Sequence, residues 1–345
     1  MSESTPSRYD RQARFAPLGE EGQRRLSTSR ALVCGCGALG SVIAETLVRA
    51  GVGFVRIVDR DFVELNNLQR QVLYDEQDVA DGLPKAIAAT NKLRRINSEI
   101  EIEPVVADVT HRNIASLAGD EDVIVDGTDN FATRFLLNDF AAKHNTPWIY
   151  GGCIGAEGQS MTILPGETAC LACLMAEAPP PGTTPTCDTA GIIAPIVNVV
   201  ASIESAEALK ILSGHRDAVS HRLTIIDLWD NQYRHVDLAK LHESGDCRVC
   251  KHQEYVWLAG DRGDASAVLC GRNAVQLSAA PGTTISLENL AARLAGVGRI
   301  QKNNFLLRLH VDSYVLTVFP DGRTIIGGTN DVATARTVHA RYIGA

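Results

Sequence analysis

The chain has 345 residues, 45% of them hydrophobic and 21% charged, with a formal net charge of −8. That suits a globular protein of one large domain with room for a smaller one. An acidic balance without a local Lys/Arg cluster excludes a surface that binds nucleic acid by neutralising phosphates. No apolar run approaches the roughly 20 residues of a membrane span, and "MSESTPSRYDRQARF" has no apolar leader core, so a cytoplasmic protein is expected. Nine cysteines, an odd number in a long chain, suit metal binding or reactivity better than a disulfide framework.

From Ala31 onward, strand-like runs alternate with helix-like ones: "ALVC", "FVRIVD", "EIEIEPVV", "DVIVDGTD" and "PWIYGG". Continuous apolar runs of this kind belong to strands buried on both faces, so the expected fold is α/β, a doubly wound Rossmann-like, mostly parallel sheet. Pro84 opens a helix on which Ala86, Ala89, Leu93 and Ile96 share a face. After Gly152 come a strand near "SMTILP", a Pro-rich loop "APPPGTTPTCDTAG" expected to be functional or mobile, a helix from about Pro195 to Leu212, and a strand "RLTIIDL". The expected organisation is a main domain over 1–252, a linker over 253–266, and a small α+β domain over 267–345. The small domain would hold strands at "AVQLSA", "FLLRLHV", "SYVLTVF" and "RTIIGG", with helices at "SLENLAARLA" and "DVATARTVHARY".

Chemistry is concentrated in a few stretches. "LVCGCGALGS" places Gly35, Gly37 and Gly40 between a strand and a helix, a loop whose backbone N–H groups bind nucleotide phosphates; a merely tight βα turn is the alternative. Asp59, ending the second strand, is placed to accept from ribose hydroxyls. In "DRDFVELNNLQRQ" and "GLPKA", the residues Asn67, Arg70 and Lys85 suit the phosphate end of a triphosphate, although a solvated charged loop would read similarly. Asp129, in "DGTDNFATR", is placed to hold magnesium beside the phosphates, and it or Asn130 could cap the following helix; both readings can hold together. The pairs Cys170/Cys173 and Cys247/Cys250 fit a tetrahedral zinc site, with a redox pair as the alternative. Cys187 is either a loop nucleophile or an incidental thiol. Cys34, Cys36 and Cys153 read as packing residues, and Cys270 has no evident partner.

These motifs, taken in order as "RYDRQ", "GCGALG", "DRDFVELNNLQRQ", "GLPKA", "DGTDN", "CLAC", "TCDTAG" and "CRVC", resemble those of the ThiF/MoeB/HesA family, bacterial relatives of ubiquitin-activating enzymes. The resemblance covers roughly residues 8–252. It implies ATP, with nucleotide contacts from Gly35, Gly37, Ala38, Gly40, Asp59, Asp61, Asn66, Asn67, Arg70, Lys85, Asp129 and Asn130, and with magnesium on Asp129. It further implies structural zinc on Cys170, Cys173, Cys247 and Cys250, and a homodimer in which Arg11 reaches the neighbouring subunit's site. Arg11, Arg70, Lys85, Asp129 and Cys187 would then be the catalytic set. The implied reaction is adenylation of the C-terminal glycine of a ubiquitin-fold sulfur-carrier protein, MoaD- or ThiS-like, in molybdopterin or thiamine biosynthesis. The stretch after Ala267 is short for a rhodanese domain, and "CGRN" is not its cysteine loop, so sulfur would come from a separate cysteine desulfurase or rhodanese. "RYIGA" lacks a Gly-Gly end, which argues against a fused carrier. An NAD(P)-dependent oxidoreductase and a non-catalytic scaffold are the competing readings.

Overall fold

The computed structural model describes residues 8–180, 183, 187–262, 266–269, 273–280 and 282–344. Cys270 lies outside the described residues. The chain forms two compact units, one of Met1–Thr183 with Gly191–Arg262, the other of Thr184–Ala190 with Gly263–Ala345.

The first unit opens with two short helices, α1 (Asp10–Ala13) and α2 (Gly19–Leu26), and continues β1 (Arg30–Cys34), α3 (Ala38–Ala50), β2 (Phe54–Val58), α4 (Glu76–Ala80), α5 (Lys85–Ile96) and β3 (Glu101–Val105). It then runs α6 (Ile114–Ala118), β4 (Val123–Asp126), α7 (Phe131–His144), β5 (Trp148–Ile154), β6 (Glu157–Ile163) and α8 (Leu171–Leu174). After α9 (Cys187–Ala190), which groups with the second unit, it closes with α10 (Ala194–Leu212), β7 (Arg222–Asp227), β8 (Gln232–Asp237) and α11 (Ala239–Ser244).

One eight-stranded sheet has the order β3-β2-β1-β4-β5-β6-β7-β8. The five strands expected from their apolar runs are the parallel ones, and β6, β7 and β8 extend the sheet antiparallel. Alternation along the strands feeds two cores. Ala31 and Val33 point to the side covered by α3, α5 and α10, where Ile43, Leu47, Leu93 and Val200 pack. Leu32 and Cys34 point to the other side, with Phe135, Phe140, Trp148 and Leu171. The chain runs out from β1 through β2 to β3 and returns to β4 on the opposite flank of β1. That reversal leaves a crevice at the carboxyl ends of β1 and β4, the place where doubly wound sheets bind ligands.

The second unit contains a six-stranded antiparallel sheet in the order β11-β12-β13-β14-β10-β9: β9 (Ser266–Leu269), β10 (Ala274–Leu277), β11 (Arg299–Lys302), β12 (Leu307–Val311), β13 (Tyr314–Val318) and β14 (Thr324–Gly327). Leu290 of α12 (Leu287–Arg293) and Ala335 and Val338 of α13 (Val332–Tyr342) share its core with Leu309, Leu316 and Ile326.

Three expectations need correction. The segment 253–266 is not a plain linker: Trp257 stacks on Phe135 at 5.8 Å, and its N–H donates to Asp139 Oδ2 at 2.8 Å, which fastens this stretch to α7. β9 already begins at Ser266, and Thr184–Ala190 groups with the second unit, so the division is not the contiguous 1–252 and 267–345. Within the Pro-rich stretch, Cys187–Ala190 is a helical turn rather than loop.

Candidate active site

The glycine loop is shaped by backbone packing. Gly35 has φ +85°, and a Cβ on it would lie 2.8 Å from the Gly127 carbonyl; on Gly40 it would lie 1.8 Å from the Gly35 oxygen, and on Gly127 2.3 Å from that same oxygen. The start of α3 is thus pressed against the ends of β1 and β4. Gly37 is different, since apart from adjoining backbone a Cβ there would meet, among the described residues, only Gln71 Nε2, at 3.8 Å. No side chain caps α3, whereas Asn130 caps α7 by accepting from the Thr133 N–H at 2.8 Å. The first-turn N–H groups of α3 are therefore free of side-chain acceptors and form an anion-binding end.

Asp59 holds the loop from below. Its Oδ2 accepts from the Cys36 N–H at 2.6 Å and its Oδ1 from the Asp61 N–H at 2.7 Å. Burial pushes the Asp59 carboxyl above its ordinary range, and the charge of Lys85 opposes that push. Lys85, the first residue of α5 and 3% exposed, pairs with Asp61 Oδ2 at 3.3 Å, and its N–H donates to the Asp61 carbonyl at 2.9 Å. The Tyr74 hydroxyl donates to the carbonyls of Cys36 (2.7 Å) and Lys85 (3.3 Å), tying the loop to α5. Asp59, Asp61, Lys85 and the glycine loop are thus one constellation.

The neighbouring turn is organised by Asn67. Its Oδ1 accepts from the Glu64 N–H at 3.3 Å, its Nδ2 donates to Asn66 Oδ1 at 2.9 Å, and Arg70 Nη1 donates to the Asn66 carbonyl at 2.9 Å. Asn66 is exposed and Arg70 half-buried. Of the two candidate caps in "DGTDN", Asn130 is the one used, and Asp129 is left as an exposed carboxylate.

A buried hub underlies that loop and was not foreseen from sequence. Asp126 Oδ2 pairs with Arg134 Nε at 3.0 Å, and its Oδ1 accepts from the Thr128 hydroxyl at 2.6 Å. Arg134 also donates to the carbonyls of Thr128 (2.7 Å) and Gly151 (2.8 Å). Glu204 of α10 is wholly buried against Gly151, where an added Cβ would come within 2.3 Å of its carboxyl carbon, and both carboxyl oxygens lack a hydrogen-bond partner. Burial, reinforced by Asp126, raises its pKa well above the ordinary carboxylate value. Such burial favours the protonated form of Glu204 over the carboxylate.

Arg11 stands apart. Within "RYDRQ", Arg8 donates to the Ile96 carbonyl (2.8 Å), Tyr9 accepts from Asn97 Nδ2 (2.8 Å), and Gln12 donates to the Ala50 carbonyl (2.8 Å). These contacts pin α1 to the C-terminal ends of α3 and α5 and leave Arg11 exposed. The glycine loop is at the other end of α3, about 18 Å away at 1.5 Å per residue. Cys187 is half-buried in α9 and belongs to the second unit.

The four paired cysteines form a separate centre. Sulfur–sulfur distances are 3.8 Å for Cys170–Cys173, 3.8 Å for Cys170–Cys247 and 3.6 Å for Cys173–Cys250, and all four lie within 4.8 Å of one another. A tetrahedron with Zn–S bonds of about 2.3 Å has edges of about 3.8 Å, so the set fits a zinc ion. No disulfide joins any two of the eight described cysteines. Cys34 and Cys36 are buried as expected of packing residues.

The ThiF family model matches residues 9–249. The chain belongs to the ThiF family. The ThiF-family chain is 44% identical over 338 residues to the sulfur carrier protein ThiS adenylyltransferase of Bacillus subtilis (strain 168), covering 98% of this chain and 99% of that protein. It is 39% identical to the SAMP-activating enzyme E1 of Haloferax volcanii, over 70% of this chain and 88% of that one. The crystal structure of E. coli MccB with ATP shares the fold at a TM-score of 0.61 and 22% identity, covering 72% of this chain and 76% of that one. As a member of this family the protein is an adenylyltransferase.

Proposed function

We propose that this protein adenylates the C-terminal glycine of a ThiS-like, ubiquitin-fold sulfur carrier, using ATP and magnesium. The observation that carries this is the uncapped start of α3 with Asp59, Asp61 and Lys85 gathered around it. The choice of a ThiS-like over a MoaD-like carrier is supported by the relative that matches nearly the whole chain, second unit included, and is named a ThiS adenylyltransferase. The carrier's carboxylate attacks the α-phosphorus, the bond to the bridging oxygen of the β-phosphate breaks, and pyrophosphate leaves. A carboxylate is already a nucleophile, so the site must position it and neutralise charge rather than remove a proton.

In this reading the phosphates lie on the N–H groups around Gly35, Gly37, Ala38 and Gly40, and Asp59 accepts from the ribose. Arg70 and Lys85 neutralise charge on the phosphates, with Asn66, Asn67 and Asn130 shaping the loops around them. Asp129, exposed and released from capping, would hold magnesium, which would screen the transferred phosphate. Arg11 is too far from its own loop and serves the site of the partner subunit in a homodimer. The four cysteines would hold zinc as a structural clip. Cys187 takes part in sulfur transfer, with the sulfur delivered by a separate donor protein such as a cysteine desulfurase or rhodanese.

The test is ATP–pyrophosphate exchange with purified protein and candidate carriers. Exchange is expected with a ThiS-like carrier and is lost in Lys85→Ala. Exchange with a MoaD-like carrier alone would reassign the pathway, and ATP-independent nicotinamide binding would favour an oxidoreductase.

A further inference from the structure

Gln71 is the last residue of "DRDFVELNNLQRQ". It is 4% exposed, and its main chain is fixed by the turn around it: its N–H donates to the Asn67 carbonyl at 3.0 Å, and its carbonyl accepts from the Tyr74 N–H at 3.2 Å. The side chain is less well provided for, because Oε1 is buried without a hydrogen-bond partner. Buried amides in folded proteins are paired, and an exception calls for a reason.

Its surroundings supply one. Gly35, Gly40 and Gly127 are glycines because backbone would strike a Cβ, whereas at Gly37, apart from adjoining backbone, the sole atom of the described residues within 4 Å of an added Cβ is Gln71 Nε2, at 3.8 Å. Gly37 is also the N-cap position of α3, which no side chain caps. The carboxamide therefore faces bare backbone at the anion-binding end of the helix. A group with a donor toward that end and an unmet acceptor matches a ligand that offers both an anionic oxygen and a hydroxyl, as a nucleotide does.

We propose that Gln71 is a nucleotide-binding residue, its amide N–H donating to a non-bridging oxygen of the phosphate seated at Gly37. The inference rests on the adenylation reading given above. An amide suits the task because it donates without adding charge beside Lys85, and because it cannot ionise to repel the phosphate.

The experiment is calorimetric titration of the full-length protein with ATP and with adenosine, alongside thermal unfolding without nucleotide, for wild type, Gln71→Met and Gln71→Glu. Methionine fills the same space without an orphaned acceptor, so Gln71→Met is expected to melt at the wild-type temperature or above it, yet to bind ATP about tenfold or more weakly. Adenosine affinity should change far less. A merely structural role predicts the opposite, lower melting with ATP affinity kept. ATP affinity within twofold of wild type in Gln71→Met overturns the proposal. Should Gln71→Met fail to fold, Gln71→Glu decides: weakened ATP with unchanged adenosine supports it, and unchanged ATP overturns it. Wild-type protein that binds no ATP would sink the adenylation reading itself, and this inference with it.

Discussion

Single residues at the crevice divide into those gathered around the glycine loop and those buried beneath it. The placement of Asp59 beside the glycine loop was legible, because a carboxylate ending the second parallel strand occupies a set position in the fold, and Lys85 joins it through Asp61. Asp126, Arg134 and Glu204 were not, because their partnership joins β4, α7 and α10 and leaves no periodic trace in sequence. Glu204 makes a pH prediction. A carboxyl whose folded pKa is raised binds more protons folded than unfolded, so its contribution to stability is present below the unfolded pKa of about 4.3 and is lost as pH rises toward the folded value. Melting temperatures of wild type and Glu204→Gln should therefore agree near pH 4, and the variant should gain progressively as pH rises. A gap that shrinks with pH would mean the carboxyl is ionised and held that way. Gly40→Ala is expected to leave no folded protein at 25 °C by circular dichroism, since its methyl would overlap the Gly35 carbonyl at 1.8 Å.

Among elements, α3 and α7 both start at carboxyl ends of strands, yet only α7 has a side-chain cap. That contrast was half legible: Asp129 and Asn130 were equal candidates, and the start of the helix at Phe131, which puts Asn130 at the N-cap, decided between them. Edge strands β8 and β11 escaped notice because "QYRHVD" and "RIQK" lack an apolar alternation; every residue of β8 is exposed. The thiol centre was readable as two CxxC pairs, but its support was not. Asn138 of α7, fully buried, donates from Nδ2 to Cys170 Sγ at 3.6 Å and accepts the Leu171 N–H at 2.8 Å. Such outer partners orient metal ligands. Asn138→Leu should release bound zinc to a chromogenic chelator about tenfold faster than wild type, a rate that would stay unchanged if the asparagine served packing alone.

For the whole molecule, the distance between Arg11 and the loop of its own chain carries the dimer prediction. Arg11→Ala and Lys85→Ala damage different sites if the arginine acts across the subunit boundary. After the two inactive variants exchange subunits, about a quarter of wild-type exchange activity should return, because half the dimers are mixed and each has one intact site. No recovery would place Arg11 in its own subunit's chemistry. A boundary was expected within residues 251–267 because a strand- and helix-rich pattern starts afresh beyond it, but the contact that Trp257 makes with α7 leaves no trace in that polar stretch. The anchoring of that stretch to α7 bears on how the protein can be cut. A fragment ending at residue 252 would strip the indole from Phe135 and leave the Asp139 carboxylate without the N–H groups of Trp257 and Leu258. One ending at 262 keeps both, so protease trimming of the native protein should stop on the far side of the tryptophan, and a shortened enzyme should be cloned to that end.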